Sequence, residues 1–127
     1  MIIDCRYEDE YAGGHIPGAI NLSTKNALIE YFFGNPHRIE QLVKSNTAII
    51  FHCEFSERRA PLQYSVMRGV DRQANIQNYP RLFYPEIYLL QGGFSQFFKQ
   101  YPQHCIGKYV KMGEGGQIFS QNKKTQF

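Results

Sequence analysis

Three short apolar runs separated by helical patterns constrain the fold more than any other feature. The runs are "IIDC" at 2–5, "TAIIFHC" at 47–53 and "EIYLLQGG" at 86–93. β-Branched and aromatic residues dominate "TAIIFHC", which is typical of a buried central strand, and we predict that "EIYLLQGG" is another buried strand. Stretches with apolar residues at helical spacing lie between and after them, including "KNALIEYFFGN", "PHRIEQLVKSN", "APLQYSVMRGVDRQ" and "FSQFFKQYP". This alternation predicts an α/β domain with a parallel sheet and helices on both faces.

The chain of 127 residues is long enough for one domain with one core. We predict that this domain covers residues 1–107, because the remainder, 108–127, contains the polar, glycine-rich "GEGGQIFSQNKKTQF". Such a composition is typical of a C-terminal tail with low order. The opening "MIIDC" has the pattern of a strand already under way, so we expect that the domain lacks its N-terminal segment.

Composition excludes several classes of protein. Fourteen basic and 11 acidic residues give a net charge of +3, which suits an anionic substrate and is no nucleic-acid signature. No apolar run approaches the roughly 18 residues of a membrane span, and no signal peptide is visible. Cys5, Cys53 and Cys105 are too widely spaced for a disulfide framework or a metal-binding pair. We expect no metal and no cofactor, a reducing setting in nucleus and cytoplasm, and a monomer.

The segment "HCEFSERRAP" contains the residues that we predict to be catalytic. Cys53 ends the most buried-looking strand and a helix follows, which is where parallel sheets bind ligands. A tight loop there can turn successive backbone N–H groups inward, and the helix N-terminus adds partial positive charge. An arginine closing the loop supplies a bidentate clamp for phosphate. Because these features favour thiolate over thiol, we predict that Cys53 is a nucleophile with a low pKa.

Two adjacent arginines compete for the role of clamp. Arg58 gives the spacing C-x4-R and Arg59 gives C-x5-R. The "R-A-P" junction places Arg59 against the helix start, where a side chain points inward, and Pro61 suits the first helical turn. We assign the clamp to Arg59 and expect Arg58 to face solvent.

The predicted chemistry is phosphoryl transfer to sulfur. The thiolate attacks a phosphate ester in line, while loop amides and the arginine hold the equatorial oxygens. A cysteinyl-phosphate forms and water then hydrolyses it. This reaction requires no metal.

The segment "HCEFSERRAP" resembles the active-site loop of the M-phase inducer phosphatases. These are rhodanese-fold, dual-specificity phosphatases that activate cyclin-dependent kinases. Two further segments, "IIDCRYEDEYAGGHIPGAINL" and "NYPRLFYPEIYLLQGGFSQFFKQYP", resemble the family's opening block and its later strand and helix. The resemblance implies a rhodanese-like fold and removal of phosphate from phosphotyrosine and phosphothreonine of a cyclin-dependent kinase–cyclin complex, which promotes mitotic entry.

The resemblance implies Cys53 as nucleophile and Arg59 as clamp. The family has serine and then glutamate before the clamp arginine, where this chain has Glu57 and Arg58, so the glutamate is displaced by one position. The general acid is not evident. Glu54 is a candidate, with a solvated carboxylate as the alternative. The implied phosphate-binding loop comprises Glu54, Phe55, Ser56, Glu57, Arg58 and Arg59.

Residues outside the loop also match the family. Cys5 matches a second cysteine that can form a disulfide with the oxidised nucleophile. The alternative is a buried strand cysteine without a redox role. Arg68, Arg72 and Tyr79 match positions that dock the substrate, and the two arginines share a helix face at i, i+4. A solvated basic face is the alternative for them.

Other polar residues are predicted to be structural. His52 is expected to form hydrogen bonds at the strand end rather than act as a base, and His15 belongs to a turn. Asp4 and Arg6 are expected to form a buried pair near the loop.

Three other functions remain open. Rhodanese-type arsenate reductases also carry an H-C-x5-R loop. Sulfurtransferases have a loop one residue shorter, and Arg58 would give that spacing. A domain that binds phosphorylated kinase without hydrolysing it is the alternative from outside the enzymes.

Overall fold

The computed structural model describes residues 1–114. The strands are β1 (Ile2–Asp4), β2 (Gly14–His15), β3 (Ile20–Asn21), β4 (Ile49–His52), β5 (Ile87–Leu89) and β6 (Ile106–Gly107). The helices are α1 (Glu8–Gly13), α2 (Lys25–Phe33), α3 (Pro36–Lys44), α4 (Arg59–Ala74) and α5 (Gly93–Gln100). Short 3₁₀ turns cover Ile76–Asn78 and Pro102–His104.

Four strands form a parallel sheet in the order β3-β1-β4-β5. Strand β1 pairs with β4 so that Asp4 lies beside His52. The strands β2 and β6 form a separate antiparallel pair. The predicted α/β class and the parallel sheet are confirmed. Because the strands are parallel, β1 and β4 end at the same edge of the sheet, and their following loops meet there.

Helix ends follow local sequence signals. Thr24 Oγ1 accepts a hydrogen bond from the Ala27 amide at 3.1 Å and caps α2. Asn35 caps α3 in the same way, accepting from the His37 amide at 3.0 Å, and Pro36 occupies the first turn.

Both faces of the sheet are covered. Ile3 and Phe51 are neighbours in the register, are fully buried, and belong to one cluster with residues of α2 and α4, including Met67. Successive strand residues point to opposite faces. Ile2 accordingly packs in the second cluster, around Phe94 of α5. The prediction of helices on both faces is therefore confirmed.

The third apolar run, which we predicted as a buried strand, is only partly buried. Ile87 is 5 % exposed, but Tyr88 and Leu89 are 48 % and 40 % exposed. Among the described strands, β5 pairs with β4 alone and forms the edge of the sheet. An apolar run indicates a strand but does not give its position in the sheet, which explains the error.

The packed part of the chain extends past residue 107, where we placed the end of the domain. The ring of Tyr109 lies 5.6 Å from that of Phe94 and 5.8 Å from that of Phe98. Val110 packs closely on Gly13, because a Cβ added to Gly13 would lie 2.2 Å from Cγ2 of Val110. Residues 115–127 of the predicted tail lie outside the described residues. Within residues 1–114, no helix has the length and apolarity needed to span a bilayer.

Candidate active site

The segment between β4 and α4 forms a tight loop around the sulfur of Cys53. Ser56 has φ +57°, a left-handed conformation that lets the chain reverse within a few residues. Cys53 is only 3 % exposed. Its Sγ accepts a hydrogen bond from the Ala60 amide at 3.4 Å. The sulfur thus lies at the N-terminus of the 16-residue helix α4, where the helix dipole favours negative charge.

Arg59 closes the loop, and its guanidinium is held by a carboxylate from the other side of the site. Nη1 donates to Oε2 of Glu10 at 2.6 Å, and Nη2 donates to Oε1 at 3.0 Å. The Arg59 side chain is 8 % exposed and that of Glu10 is fully buried. Burial alone lowers the pKa of Arg59, but the hydrogen bonds and charge of Glu10 outweigh it and raise the pKa. Arg59 is therefore a fixed cation.

The outer part of the loop is open to solvent. Phe55 is 51 % exposed, and Glu57 and Arg58 are also exposed. Arg58 lies in solvent, as expected, while its neighbour Arg59 points inward. Glu57, the glutamate that is displaced by one position from the pattern described above, therefore lies at the outer rim of the loop.

Glu54 is buried beside Cys53 and faces the C-terminal segment. It is 5 % exposed, so the alternative of a solvated carboxylate is wrong. Oε2 accepts a hydrogen bond from the Tyr109 hydroxyl at 2.5 Å, and Oε1 accepts from the Met112 amide at 3.5 Å. Burial and the contact with Glu54 raise the pKa of Tyr109 to about 12. The role of Glu54 as general acid remains a prediction.

Helix α5 supports the loop through its first amides. The Phe94 N–H donates to the Cys53 carbonyl and the Ser95 N–H donates to the Glu54 carbonyl, both at 2.9 Å. Gly93 has φ +61°, and a Cβ there would lie 2.5 Å from the Glu54 carbonyl oxygen. A side chain at this position would therefore displace the loop.

A fully buried polar cluster lies next to the loop. The Nη2 of Arg6 contacts Asp4 Oδ2 at 2.7 Å, which confirms the predicted pair, and the guanidinium carbon lies 4.1 Å above the Phe94 ring. His52 Nδ1 lies 3.1 Å from the Cys53 carbonyl oxygen. Burial lowers the pKa of His52, although the charge of Asp4 opposes it. A neutral His52 that contacts the backbone is structural, as expected.

Cys5 directly follows β1, the strand that pairs with β4 ahead of Cys53. It follows Asp4 as Cys53 follows His52, and Asp4 and His52 are register partners. The Cys5 amide donates to the His52 carbonyl at 2.7 Å. Both cysteines are free and buried in one cluster. Burial, with smaller contributions from the charges of Asp4 and Cys53, raises the pKa of Cys5 well above its usual value.

The three predicted docking residues have different environments. Arg68 is partly buried and donates to the carbonyl oxygens of Tyr84 and Pro85, at 3.0 and 3.2 Å. Arg72 is exposed, and Tyr79 is 85 % exposed. Arg68 therefore has a structural contact, while the docking role of all three stays a prediction. Across residues 1–114, no group of three or more metal-ligating side chains is placed to hold a metal ion.

Sequence reasoning missed Glu10 and Tyr7, as well as Tyr109. Glu10 holds Arg59, and the ring of Tyr7 lies 4.9 Å from the Arg59 guanidinium carbon. The one available signal was local: Glu10 is the third residue of α1, where a glutamate accepts from the backbone before the helix. That pattern predicts a helix start and gives no indication of an arginine elsewhere in the chain.

The chain is similar in sequence to M-phase inducer phosphatases. It is 47 % identical over 113 residues to that of Emericella nidulans, which covers 88 % of this chain and 19 % of the relative. It is 40 % identical over 126 residues to that of Schizosaccharomyces pombe, with 97 % and 20 % covered. It is 43 % identical over 104 residues to human M-phase inducer phosphatase 3, with 82 % and 21 % covered. The resemblance is confirmed, and the chain spans about a fifth of the length of these relatives.

Solved structures agree with the fold. One is an As–Sb reductase from Leishmania major, with a TM-score of 0.61, 20 % identity, and 99 % of this chain and 83 % of that chain covered. Another is a yeast protein tyrosine phosphatase of the rhodanese family, with a TM-score of 0.54, 21 % identity, and 87 % and 76 % covered. The family described as rhodanese-like domain matches residues 1–100. By this match and by its parallel sheet, the chain belongs to the rhodanese-like domain family.

Proposed function

We propose that this domain is the catalytic part of a cysteine-dependent, dual-specificity protein phosphatase. The observation that carries the proposal is the position of Cys53. Its sulfur is buried, accepts the Ala60 amide at the start of α4, and is enclosed by a loop that Arg59 closes. A thiolate is stabilised by such a helix N-terminus, and a phosphate dianion bound over it is stabilised by the same groups.

The mechanism uses these groups in sequence. The Cys53 thiolate attacks phosphorus in line with the ester oxygen that leaves. Loop amides and the guanidinium of Arg59 bind the three equatorial oxygens as negative charge spreads over them. The S–P bond forms as the P–O bond breaks, and the leaving oxygen takes up a proton. Water then attacks the cysteinyl-phosphate and releases inorganic phosphate and the thiolate.

Glu54 is our candidate for the acid that protonates the leaving oxygen. It directly follows Cys53 in the chain, is only 5 % exposed, and so lies at the wall of the site where the leaving oxygen would emerge. To reach the substrate, its carboxyl group has to leave the Tyr109 hydroxyl. This contact makes the C-terminal segment part of the proposed catalytic cycle.

The proposed substrates are phosphotyrosine and phosphothreonine of a cyclin-dependent kinase–cyclin complex, whose dephosphorylation promotes mitotic entry. The sequence similarity to M-phase inducer phosphatases supports this proposal. Arg72 and Tyr79 are exposed and available to such a partner. A place of action in nucleus and cytoplasm follows from the same substrate.

The experiment that tests the proposal measures phosphate release from a kinase peptide phosphorylated on threonine and tyrosine. The variants are Cys53→Ser, Arg59→Ala and, as the matched control, Arg58→Ala on the exposed neighbour. Loss of release in the first two and retention in the third is the expected result. Turnover of arsenate or thiosulfate in place of the phosphopeptide would identify a reductase or sulfurtransferase. Phosphopeptide binding without release would identify a binding domain.

A further inference from the structure

The guanidinium of Arg59 is bound by Glu10 through its terminal edge. Nη1 and Nη2 each donate to a different carboxylate oxygen, at 2.6 and 3.0 Å. These two bonds use two of the five N–H donors of an arginine. Within residues 1–114, the edge formed by Nε and Nη2 retains a pair of N–H directions that no acceptor occupies, and this pair suits a second bidentate contact with an oxyanion.

Glu10 is itself held rigidly. Its Oε2 accepts a second hydrogen bond, from the Tyr7 amide, at 2.8 Å, and its side chain is fully buried. The Tyr7 ring lies 4.9 Å from the guanidinium carbon and limits movement of Arg59 away from the carboxylate. Glu10 is 49 residues from Arg59 in sequence, and pairing of β1 with β4 brings the two together.

A long arginine side chain samples many rotamers unless contacts restrict it, and a clamp that is ordered before the substrate arrives loses less entropy on binding. We propose that Glu10 is the positioning residue of the phosphate clamp: its carboxylate fixes one edge of the Arg59 guanidinium and thereby directs another edge to the oxyanion over Cys53. This inference rests on the proposed phosphatase function for its substrate. The contacts of Glu10 with Arg59 do not depend on that function.

The test compares Glu10→Gln with Glu8→Gln. Both variants remove one negative charge from α1, but Glu8 is exposed and Glu10 is buried against Arg59. A glutamine keeps one acceptor and turns an NH₂ group toward the guanidinium, so the bidentate contact is lost. The measurements are kcat and KM for an aryl phosphate, and the inhibition constant of tungstate, an oxyanion probe.

We expect Glu10→Gln to lower kcat/KM and weaken tungstate binding by roughly 10- to 100-fold, the cost typical of a misplaced catalytic group. Glu8→Gln is expected to match the wild type within about twofold, because surface substitutions away from specific contacts usually have small effects. If Glu10→Gln fails to fold, Glu10→Asp retains the charge but withdraws it by one methylene. We expect Glu10→Asp to lose activity, and wild-type activity in a folded Glu10→Asp would contradict the proposal.

Repeating the Glu10→Gln substitution in an Arg59→Lys variant separates a positioning role of Glu10 from a general structural effect. Arg59→Lys keeps the positive charge but has no planar fork to orient. Glu10→Gln should therefore have little further effect, within about twofold, when added to Arg59→Lys. An equal loss in both backgrounds would show that Glu10 acts on the structure and not through Arg59, and would overturn the proposal. A gain in activity or tungstate affinity would also overturn it, because Glu10 would then compete with the anion.

The same measurements distinguish failure of the proposed phosphatase function from failure of the positioning role of Glu10. If the wild type releases no phosphate but binds tungstate, and Glu10→Gln weakens that binding, the phosphatase assignment fails and the positioning role stands. If the wild type is active and Glu10→Gln behaves like Glu8→Gln, the positioning role fails and the phosphatase assignment stands. A wild type that neither releases phosphate nor binds tungstate would overturn both.

Discussion

The Phe94 amide donates a hydrogen bond to the carbonyl oxygen of Cys53 at 2.9 Å, so the first turn of α5 holds the backbone of Cys53. The residue before it, Gly93, makes this approach possible. A Cβ on Gly93 would lie 2.6 Å from the same carbonyl oxygen, and its φ of +61° disfavours any other residue.

We expect Gly93→Ala to reduce the proposed phosphatase activity and the thermal midpoint together, because the loop backbone has to move to relieve the contact. Gly69→Ala is the matched control. Gly69 lies on α4, where a Cβ would have no atom of residues 1–114 within 4 Å apart from the adjoining backbone of the helix itself. Alanine is the better helix former by about 1 kcal/mol. Gly69→Ala should be at least as stable as the wild type. Activity of Gly93→Ala equal to that of Gly69→Ala would show that the contact does not constrain the loop.

Removal of the Tyr109 hydroxyl, which contacts Glu54, is predicted to destabilise the fold. Tyr109→Phe removes the hydroxyl that donates to the buried Glu54 carboxylate. Leaving such an acceptor without its donor costs about 1–3 kcal/mol. The free energy of unfolding, measured by urea titration, should fall by this amount. Tyr101→Phe is the control, since Tyr101 is 46 % exposed, and equal values for the two variants would contradict the prediction.

The lowered pKa of buried His52 predicts that the fold loses stability in mild acid. Burial lowers its pKa below the usual 6.5, so the unfolded chain takes up a proton that the folded chain excludes once the pH falls below 6.5. The free energy of unfolding should then decrease with falling pH, by at most about 1.4 kcal/mol per pH unit. Below pH 3.8, Asp4 adds to this loss of stability. Although burial opposes it, the hydrogen bond to Arg6 lowers the pKa of Asp4, so the unfolded chain takes up a proton that the folded chain does not.

Urea titrations between pH 7.5 and 5 would measure this slope. His52→Asn should flatten it, whereas His37→Asn, which changes an exposed histidine on α3, should leave it as in the wild type. A slope that His52→Asn does not alter would assign the acid sensitivity to other groups.

Peroxide is expected to convert Cys53 and Cys5 into a disulfide. The Cys53 thiolate reacts with peroxide to give a sulfenic acid and hydroxide, and the sulfur of Cys5 then displaces water to form the S–S bond. Their positions after the paired residues Asp4 and His52 support this reaction. Mass spectrometry should show an internal crosslink in the wild type and in Cys105→Ser. Cys5→Ser should instead accumulate sulfinic and sulfonic acid at Cys53, and absence of this difference would leave Cys5 as a core residue.

The parts of the site that are contiguous in sequence could be predicted, and those formed between distant segments could not. The strand, loop and helix around Cys53 and Arg59 follow from apolar runs, a cysteine, and an arginine before proline. Glu10 gives no such signal, because its partner is 49 residues away and the sequence does not state which strands are neighbours. Tyr109 was missed for the same reason, and its polar surroundings suggested a tail.

The pairing of β1 with β4 also relates the time course of folding to the appearance of activity. A peptide spanning β4 and α4 would contain the nucleophile and the arginine but not Glu10, which is brought in by contacts of long sequence separation. Contacts of this kind form late and slowly in folding. Recovery of the proposed phosphatase activity after dilution from denaturant should therefore follow completion of the sheet, so that this activity would report on the last folding step.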